Sequence, residues 1–354
     1  MKGVLAKIYA WLLLLFMLGG MVVVICCAAA DVDWLIEAVA GMAISLVIAP
    51  TLHEIGHVAF AHGNRMQVQY CKCFCFRYYR KDGKVRFAFC NPFAPDETQV
   101  VPKGAENMRR RATGYAVGGL VFSGILFATV LAACIVAWYL SATAFSVFGL
   151  LPYTAYLFLL NVLPLEYASG KTDALVLRGI QKDAPAELTL LNVFRIHGEL
   201  FNGKTFAEID ESYYFSSPQL PMDEPLYVAV LDLRYHYFLE KEEYEKAFDC
   251  LKRIMAARDY LSAEEIYDLE REIVYISLLG GNDEPLKKST ETDEEFWRSD
   301  NVKAKRILAL YAASAGEKER AEALAAQGKE LFYTLSLEGE RKHEALLMER
   351  ALAV

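Results

Sequence analysis

Charged side chains are missing from a long stretch of this sequence. Between Arg111 and Glu166 lie 54 consecutive residues without Asp, Glu, Lys or Arg. A soluble domain does not hold so many uncharged residues in one run, so a purely soluble protein is excluded. Cysteine is sparse, 8 in 354 residues, which excludes a small disulfide-stapled secreted scaffold. Histidine is scarcer still, at 6, so two of them in register carry weight. Basic charge is not in excess: a net charge of −8 and an isoelectric point near 5.4 argue against a nucleic-acid partner. With 55% hydrophobic residues the chain is not a disordered one.

What charge there is divides unevenly. Residues 1–165 carry 13 Lys/Arg against 8 Asp/Glu, whereas residues 166–354 carry 24 against 37. The first half holds four apolar stretches of the length a membrane-spanning helix needs. They run from about Ile8 to Ala30, from Trp34 to about Ala61, and twice within Ala112–Leu165, with a turn near Ser141-Ala142-Thr143. Ala28-Ala29-Ala30 resembles a signal-peptide cleavage site, the competing reading of the first stretch. Its apolar length, about 23 residues, exceeds the roughly 7–15 of a signal core. Eleven Lys/Arg between residues 64 and 111, and none around Asp31-Val32-Asp33 or Ser141–Thr143, predict that both termini and the 64–111 loop are cytoplasmic. The expectation is a multi-pass protein of the cell membrane, in contact with the lipid bilayer.

Within the 64–111 loop, Met66-Gln67-Val68-Gln69-Tyr70 and Val85-Arg86-Phe87-Ala88-Phe89 alternate with period two around the turn Lys81-Asp82-Gly83-Lys84. This predicts a β-hairpin lying against the membrane surface, whose edge could hold unwound substrate. The run Cys71-Lys72-Cys73-Phe74-Cys75 reads as a wall of small hydrophobes on a strand rather than a metal site. Past Glu166 the sequence turns acidic and helical, with three- and four-residue apolar spacing over 225–257, 262–280 and 302–335. Tyr244-Glu245-Lys246-Ala247 and Lys318-Glu319-Arg320-Ala321 look alike, their alanines 74 residues apart. This resembles degenerate tetratricopeptide repeats, although 281–301 is too irregular to count and an unrelated helical bundle fits nearly as well.

The chemistry is carried by Thr51-Leu52-His53-Glu54-Ile55-Gly56-His57-Val58. On a helix His53 and His57 lie one turn apart on one face, where both imidazoles can reach one zinc ion. Glu54 projects beside that ion and can act as a general base toward water. Two histidines and a glutamate inside a membrane helix are costly, and such residues usually mark a functional site. His62, His197, His236 and His343 read as ordinary surface.

A catalytic zinc takes three protein ligands, so a third must come from elsewhere. The segment Asn161-Val162-Leu163-Pro164-Leu165-Glu166-Tyr167-Ala168-Ser169-Gly170-Lys171-Thr172-Asp173-Ala174 offers two carboxylates, Glu166 and Asp173. His-Glu-x-x-His at the end of one helix, with Asn-x-x-Pro…Asp closing a later one, resembles the site-2 protease group of intramembrane zinc metallopeptidases over about residues 30–175. The resemblance implies Asp173 as third ligand and Asn161 near the site, helping to hold substrate or the developing oxyanion. Gly118-Gly119 and Gly124 match a glycine-rich packing segment found in that group. Two features depart from the commoner pattern: Asp173 follows Pro164 by nine positions rather than a few, and Ala174 stands where glycine is usual. The rival Glu166 therefore stays open.

The expected architecture is mainly α: a polytopic membrane bundle of about four transmembrane helices with a small β-hairpin (1–178), then a cytoplasmic α-helical repeat-like domain (179–354). The expected function is hydrolysis of membrane protein substrates with one Zn2+ per chain, the helical domain docking a protein partner or substrate. A non-catalytic membrane adaptor and a membrane zinc protease of another family are the alternatives.

Overall fold

The computed structural model describes residues 2–81, 84–92, 94, 96–167, 170–287, 297 and 300–353. The chain divides into two compact units, one of Met1–Tyr79, Val85–Val101 and Asn107–Glu187, the other of Arg80–Lys84, Pro102–Glu106 and Leu188–Val354.

The first unit is built on α1 (Lys2–Ala28), α2 (Val32–Gly63), α3 (Met108–Tyr139) and α4 (Phe145–Val162). All four contain a stretch long and apolar enough to cross a membrane. Trp11, Phe16, Ile36, Ile125 and Trp138 are exposed on them, a surface suited to lipid rather than water. The inward faces are made of small residues instead. In α2 the buried positions Ala38, Met42, Ser45, Ala49, His53 and His57 follow a three- and four-residue period, so the stripe that packs the helix also carries the two histidines. Small residues set how closely the helices approach. A Cβ on Gly41 would run into the Ser146 carbonyl of α4, and one on Gly56 into the Gly118 carbonyl of α3. Ser141, at a positive φ of 50°, turns the chain between α3 and α4 within the predicted segment.

Between α2 and α3 the chain forms an antiparallel sheet in the order β3-β2-β1-β4 from β1 (Met66–Cys73), β2 (Phe76–Lys81), β3 (Lys84–Phe89) and β4 (Glu97–Pro102). This is twice the predicted hairpin. β1 pairs not with residues 85–89 but with β2, in the register Tyr70↔Tyr79 to Cys73↔Phe76. Phe74, at φ 52°, makes the turn, so the cysteine run does not continue as one strand. β2 escaped notice because Arg77-Tyr78-Tyr79-Arg80-Lys81 has no apolar–polar alternation. The turn residues Asp82 and Gly83 lie outside the described residues.

After α4, a two-stranded hairpin of β5 (Glu166–Tyr167) and β6 (Gly170–Lys171) leads into α5 (Asp173–Lys182) and α6 (Pro185–Phe201). The second unit continues with α7 (Glu211–Phe215), α8 (Pro225–Glu240), α9 (Tyr244–Ala256), α10 (Ala263–Leu279), α11 (Val302–Ser314), α12 (Lys318–Glu330) and α13 (Glu338–Leu352). The two look-alike stretches open α9 and α12, each the second helix of a hairpin, and Ala247 and Ala321 are both buried in it. One left-handed helix stop recurs at Gly203, Glu242, Gly281 and Gly316, with φ of 87°, 62°, 78° and 79°. At each stop the following residue bonds back to the carbonyl five positions earlier, for example Glu243 to Phe238 and Glu317 to Ala312. The stop at Gly281 opens the 281–301 stretch, which therefore begins as its neighbours do; most of the rest of that stretch lies outside the described residues.

Three of the four histidines expected at the surface, His197, His236 and His343, are wholly or partly buried. His343 is buried, with Nδ1 3.2 Å from Glu240 Oε2 and Nε2 3.2 Å from His236 Nδ1, while Phe206 stacks on His236. His197 is largely enclosed too, and burial holds its pKa down at about 4. Only His62 is exposed, bonding to the Val58 carbonyl of its own helix. A fully buried Arg306 joins three helices: Nη2 lies 2.8 and 2.9 Å from the two oxygens of Glu272, Nε lies 3.4 Å from Glu344, and the guanidinium covers Tyr275 at 4.1 Å.

Candidate metal centre

His53 and His57 stand on successive turns of α2, as the four-residue spacing requires, and both are buried. Their Nε2 atoms lie 3.2 Å apart. Asp173, the first residue of α5, brings Oδ2 to 3.3 Å from His53 Nε2 and 3.4 Å from His57 Nε2. Its carboxylate is largely enclosed beside the two imidazoles.

The three atoms form a nearly equilateral triangle. Ligands held about 2.0–2.1 Å from a tetrahedral zinc are separated by about 3.3 Å, so the triangle has the size a zinc ion requires. The proton positions argue the same way. His57 Nδ1 lies 3.0 Å from the Tyr115 carbonyl, which can only accept, so Nδ1 carries the hydrogen and a neutral ring turns its Nε2 lone pair inward. His53 Nδ1 is held by Ser123 Oγ at 2.9 Å. Asp173 Oδ2 is buried and takes no well-aligned hydrogen bond. With both rings neutral and protonated at Nδ1, three lone pairs would converge on one point, where a cation relieves their repulsion. Outer partners such as Tyr115 and Ser123 fix ring orientation in metal sites generally. Among the described residues, His53, His57 and Asp173 are the group able to hold a metal ion.

Glu54 is buried beside them, and its Oε2 accepts a hydrogen bond of 2.6 Å from Thr98 Oγ1 in β4. Tyr115 in turn donates its hydroxyl to the Thr98 carbonyl at 2.5 Å. β4 thus reaches the motif through Thr98, whose Oγ1 also lies 3.4 Å from Cys71 Sγ of β1, the first arm of the predicted hairpin. Glu166, the rival ligand, is exposed on β5 and outside the cluster. Asn161 is half-buried and donates to the Leu157 carbonyl of its own helix at 3.2 Å; the structure does not join it to the cluster.

The long Pro164–Asp173 spacing has a local explanation. The Thr172 backbone N–H donates to the Leu165 carbonyl at 3.1 Å, and the Leu165 N–H donates to Thr172 Oγ1, also at 3.1 Å. Thr172 Oγ1 also donates to the Leu163 carbonyl at 2.7 Å and caps α5 by accepting from Leu175. Residues 166–171 are an excursion whose ends meet, so Asp173 is placed as though it followed Leu165 closely.

Thr98, Tyr115 and Ser123 went unflagged by the sequence. Ser123, a hydroxyl within the uncharged run that follows Arg111, was a detectable signal; Thr98 lies in a strand without periodicity. No protein-family model, curated protein or solved structure matches the chain.

Proposed function

We propose that this chain is a membrane-embedded zinc endopeptidase of the site-2 protease kind, cleaving membrane protein substrates. The observation that carries the reading is the triangle of His53 Nε2, His57 Nε2 and Asp173 Oδ2, with sides of 3.2, 3.3 and 3.4 Å, beside the buried carboxylate of Glu54. His53, His57 and Asp173 would hold the ion. When bound, zinc supplies Lewis acidity toward a peptide carbonyl and lowers the pKa of water at the site. Glu54 takes the proton of the attacking water and returns it to the leaving amine. Thr98 keeps Glu54 in one rotamer while it does so. A metal-binding adaptor needs no such base, and Glu54 is what favours the enzyme over that alternative.

In this reading the four apolar helices span a cell membrane with both termini cytoplasmic, and the second unit is a cytoplasmic module of stacked helix hairpins that docks substrate or a protein partner. The test uses full-length protein in detergent, with metal content measured by plasma mass spectrometry and cleavage measured on a set of single-span membrane proteins. Wild type should hold one zinc per chain and cleave at least one substrate. Glu54→Gln should keep the zinc and lose at least about 10²-fold in rate. Undiminished cleavage by Glu54→Gln, or a wild-type protein that takes up no zinc, would end the reading.

A further inference from the structure

The second unit holds a cavity of about 530 Å³ whose chemistry the metal centre does not use. Its floor is apolar, made by Val228 of α8, Leu251 and Ile254 of α9 and Leu269 of α10. Met222 and Tyr260 also line it, with 41% and 62% of their surface exposed, so large apolar groups stand open to water there. The volume falls in the range of sites that enclose a ligand.

The polar part of the lining is acidic. Asp223 and Glu224 precede α8, and Asp232 lies on that helix one turn beyond Val228. Glu265, Asp268 and Glu272 follow at steps of three and four along one face of α10. Lys303 of α11 is the amine among them, 3.5 Å from Glu272 and 3.9 Å from Asp268. Even counting Arg271 and Arg306, which bond to Asp268 and Glu272, the six carboxylates outnumber the cations two to one. His236 lies 3.8 Å from Asp232 but adds no charge, because burial keeps its pKa well below the usual value. The carboxylates are also dispersed. Among the described residues His53, His57 and Asp173 are the group close enough to hold a metal ion, so this cavity suits cations strung along a chain.

We propose that this cavity docks a polypeptide segment in which Lys or Arg residues flank an apolar side chain. The apolar group rests on the floor between α8 and α10, and the cations meet the acidic lining. A second acidic unit is a poor occupant, since residues 166–354 carry 24 Lys/Arg against 37 Asp/Glu and would bring like charge into the contact. A free polyamine would supply the cations but nothing for the apolar floor. The proposal rests on the docking role given above to the second unit, for which it names the partner's chemistry. It needs neither zinc nor cleavage.

The experiment selects binders from a library of random octapeptides with the full-length protein in a non-ionic detergent, then titrates the selected peptides by fluorescence anisotropy. Selected sequences should be enriched in Lys and Arg on either side of an apolar residue. Changing Asp223→Asn, Asp232→Asn and Glu265→Gln together should weaken their binding at least about tenfold. Glutamine at 265 keeps a side chain able to cap α10, so the fold is retained. The control changes Asp249→Asn, Glu319→Gln and Glu322→Gln, which removes the same charge from exposed positions outside the cavity and should cost less than about twofold. Glu54→Gln should bind the peptides as wild type does, which separates this outcome from that of the cleavage test. A selection without Lys/Arg enrichment, or equal losses in the two triple variants, would overturn the proposal. So would undiminished binding once serine replaces the apolar residue of a selected peptide, the behaviour of a polyamine site.

Discussion

Gly119 touches no substrate and binds no metal, yet replacing it should empty the centre. A Cβ at this position would lie 2.5 Å from His57 Nε2, 2.6 Å from His53 Cε1 and 2.8 Å from His53 Nε2. Ordinary contact starts near 3.4 Å, so the two nitrogens fall short of it by about 0.9 and 0.6 Å. Retreat of α3 would relieve the clash only by opening the close Gly118–Gly56 backbone packing against α2. The imidazoles must swing instead, by several tenths of an ångström, whereas metal–ligand distances tolerate only about 0.2 Å. Gly119→Ala should therefore weaken zinc binding at least ~100-fold, as much as losing an outer hydrogen-bond partner, although every ligand is intact. The assay is a chelator-competition titration on purified protein. Gly124→Ala in the same helix is the control, since its Cβ would meet only the Phe158 ring edge, at 3.2 Å. If Gly119→Ala held zinc as tightly as Gly124→Ala, α3 would not be packed against the ligands as described.

Other outcomes follow from the same contacts. Thr98→Val keeps the shape of the side chain but removes the 2.6 Å hydrogen bond to Glu54; kcat should fall roughly 10-fold or more at unchanged zinc content, and Thr98→Ser should restore it. A Thr98→Val enzyme of normal kcat would leave the threonine no positioning role. Arg306→Met leaves the buried Glu344 without its guanidinium and Glu272 with only Lys303 and the Tyr235 hydroxyl, and should destabilise the second unit by about 3 kcal/mol in chemical denaturation, with much of the loss recovered when both are also changed to glutamine. Burial keeps the His197 pKa at about 4, whereas the unfolded chain takes up that proton near 6.5. The second unit should thus lose up to ~3 kcal/mol as the pH falls from 6.5 to 4. His197→Gln should flatten that slope, and an identical pH dependence in the variant would show that another group is responsible.

The membrane helices and the histidine pair were legible because each is written in a local period. An uncharged run longer than 50 residues needs no tertiary information to be read as two apolar helices, and a spacing of four puts two side chains on one helix face. The candidate third ligand, Asp173, was legible only through resemblance, and that it rather than Glu166 lies beside the histidines depends on the fold of the intervening segment. What stayed hidden is non-local. Thr98 reaches Glu54 across 44 residues, and Ser123 reaches His53 across 70. The buried partnership of His343 with Glu240 joins positions 103 apart and left no mark in either stretch. β2 carries no strand signal because the adjacent Tyr78-Tyr79 and Arg80-Lys81 break the two-residue alternation.

The closed excursion of residues 166–171 separates two lengths that sequence comparison treats as one. Along the chain, Pro164 and Asp173 are nine steps apart; in space, Leu165 and Thr172 exchange hydrogen bonds, and the metal centre meets only those joined ends. Residues can be added or removed at the tip of β5 and β6 without moving the carboxylate, much as a siding can be lengthened without shifting the main line. A chain of this architecture can drift in this loop until its motif no longer reads as a motif, while the triangle of ligands keeps its dimensions.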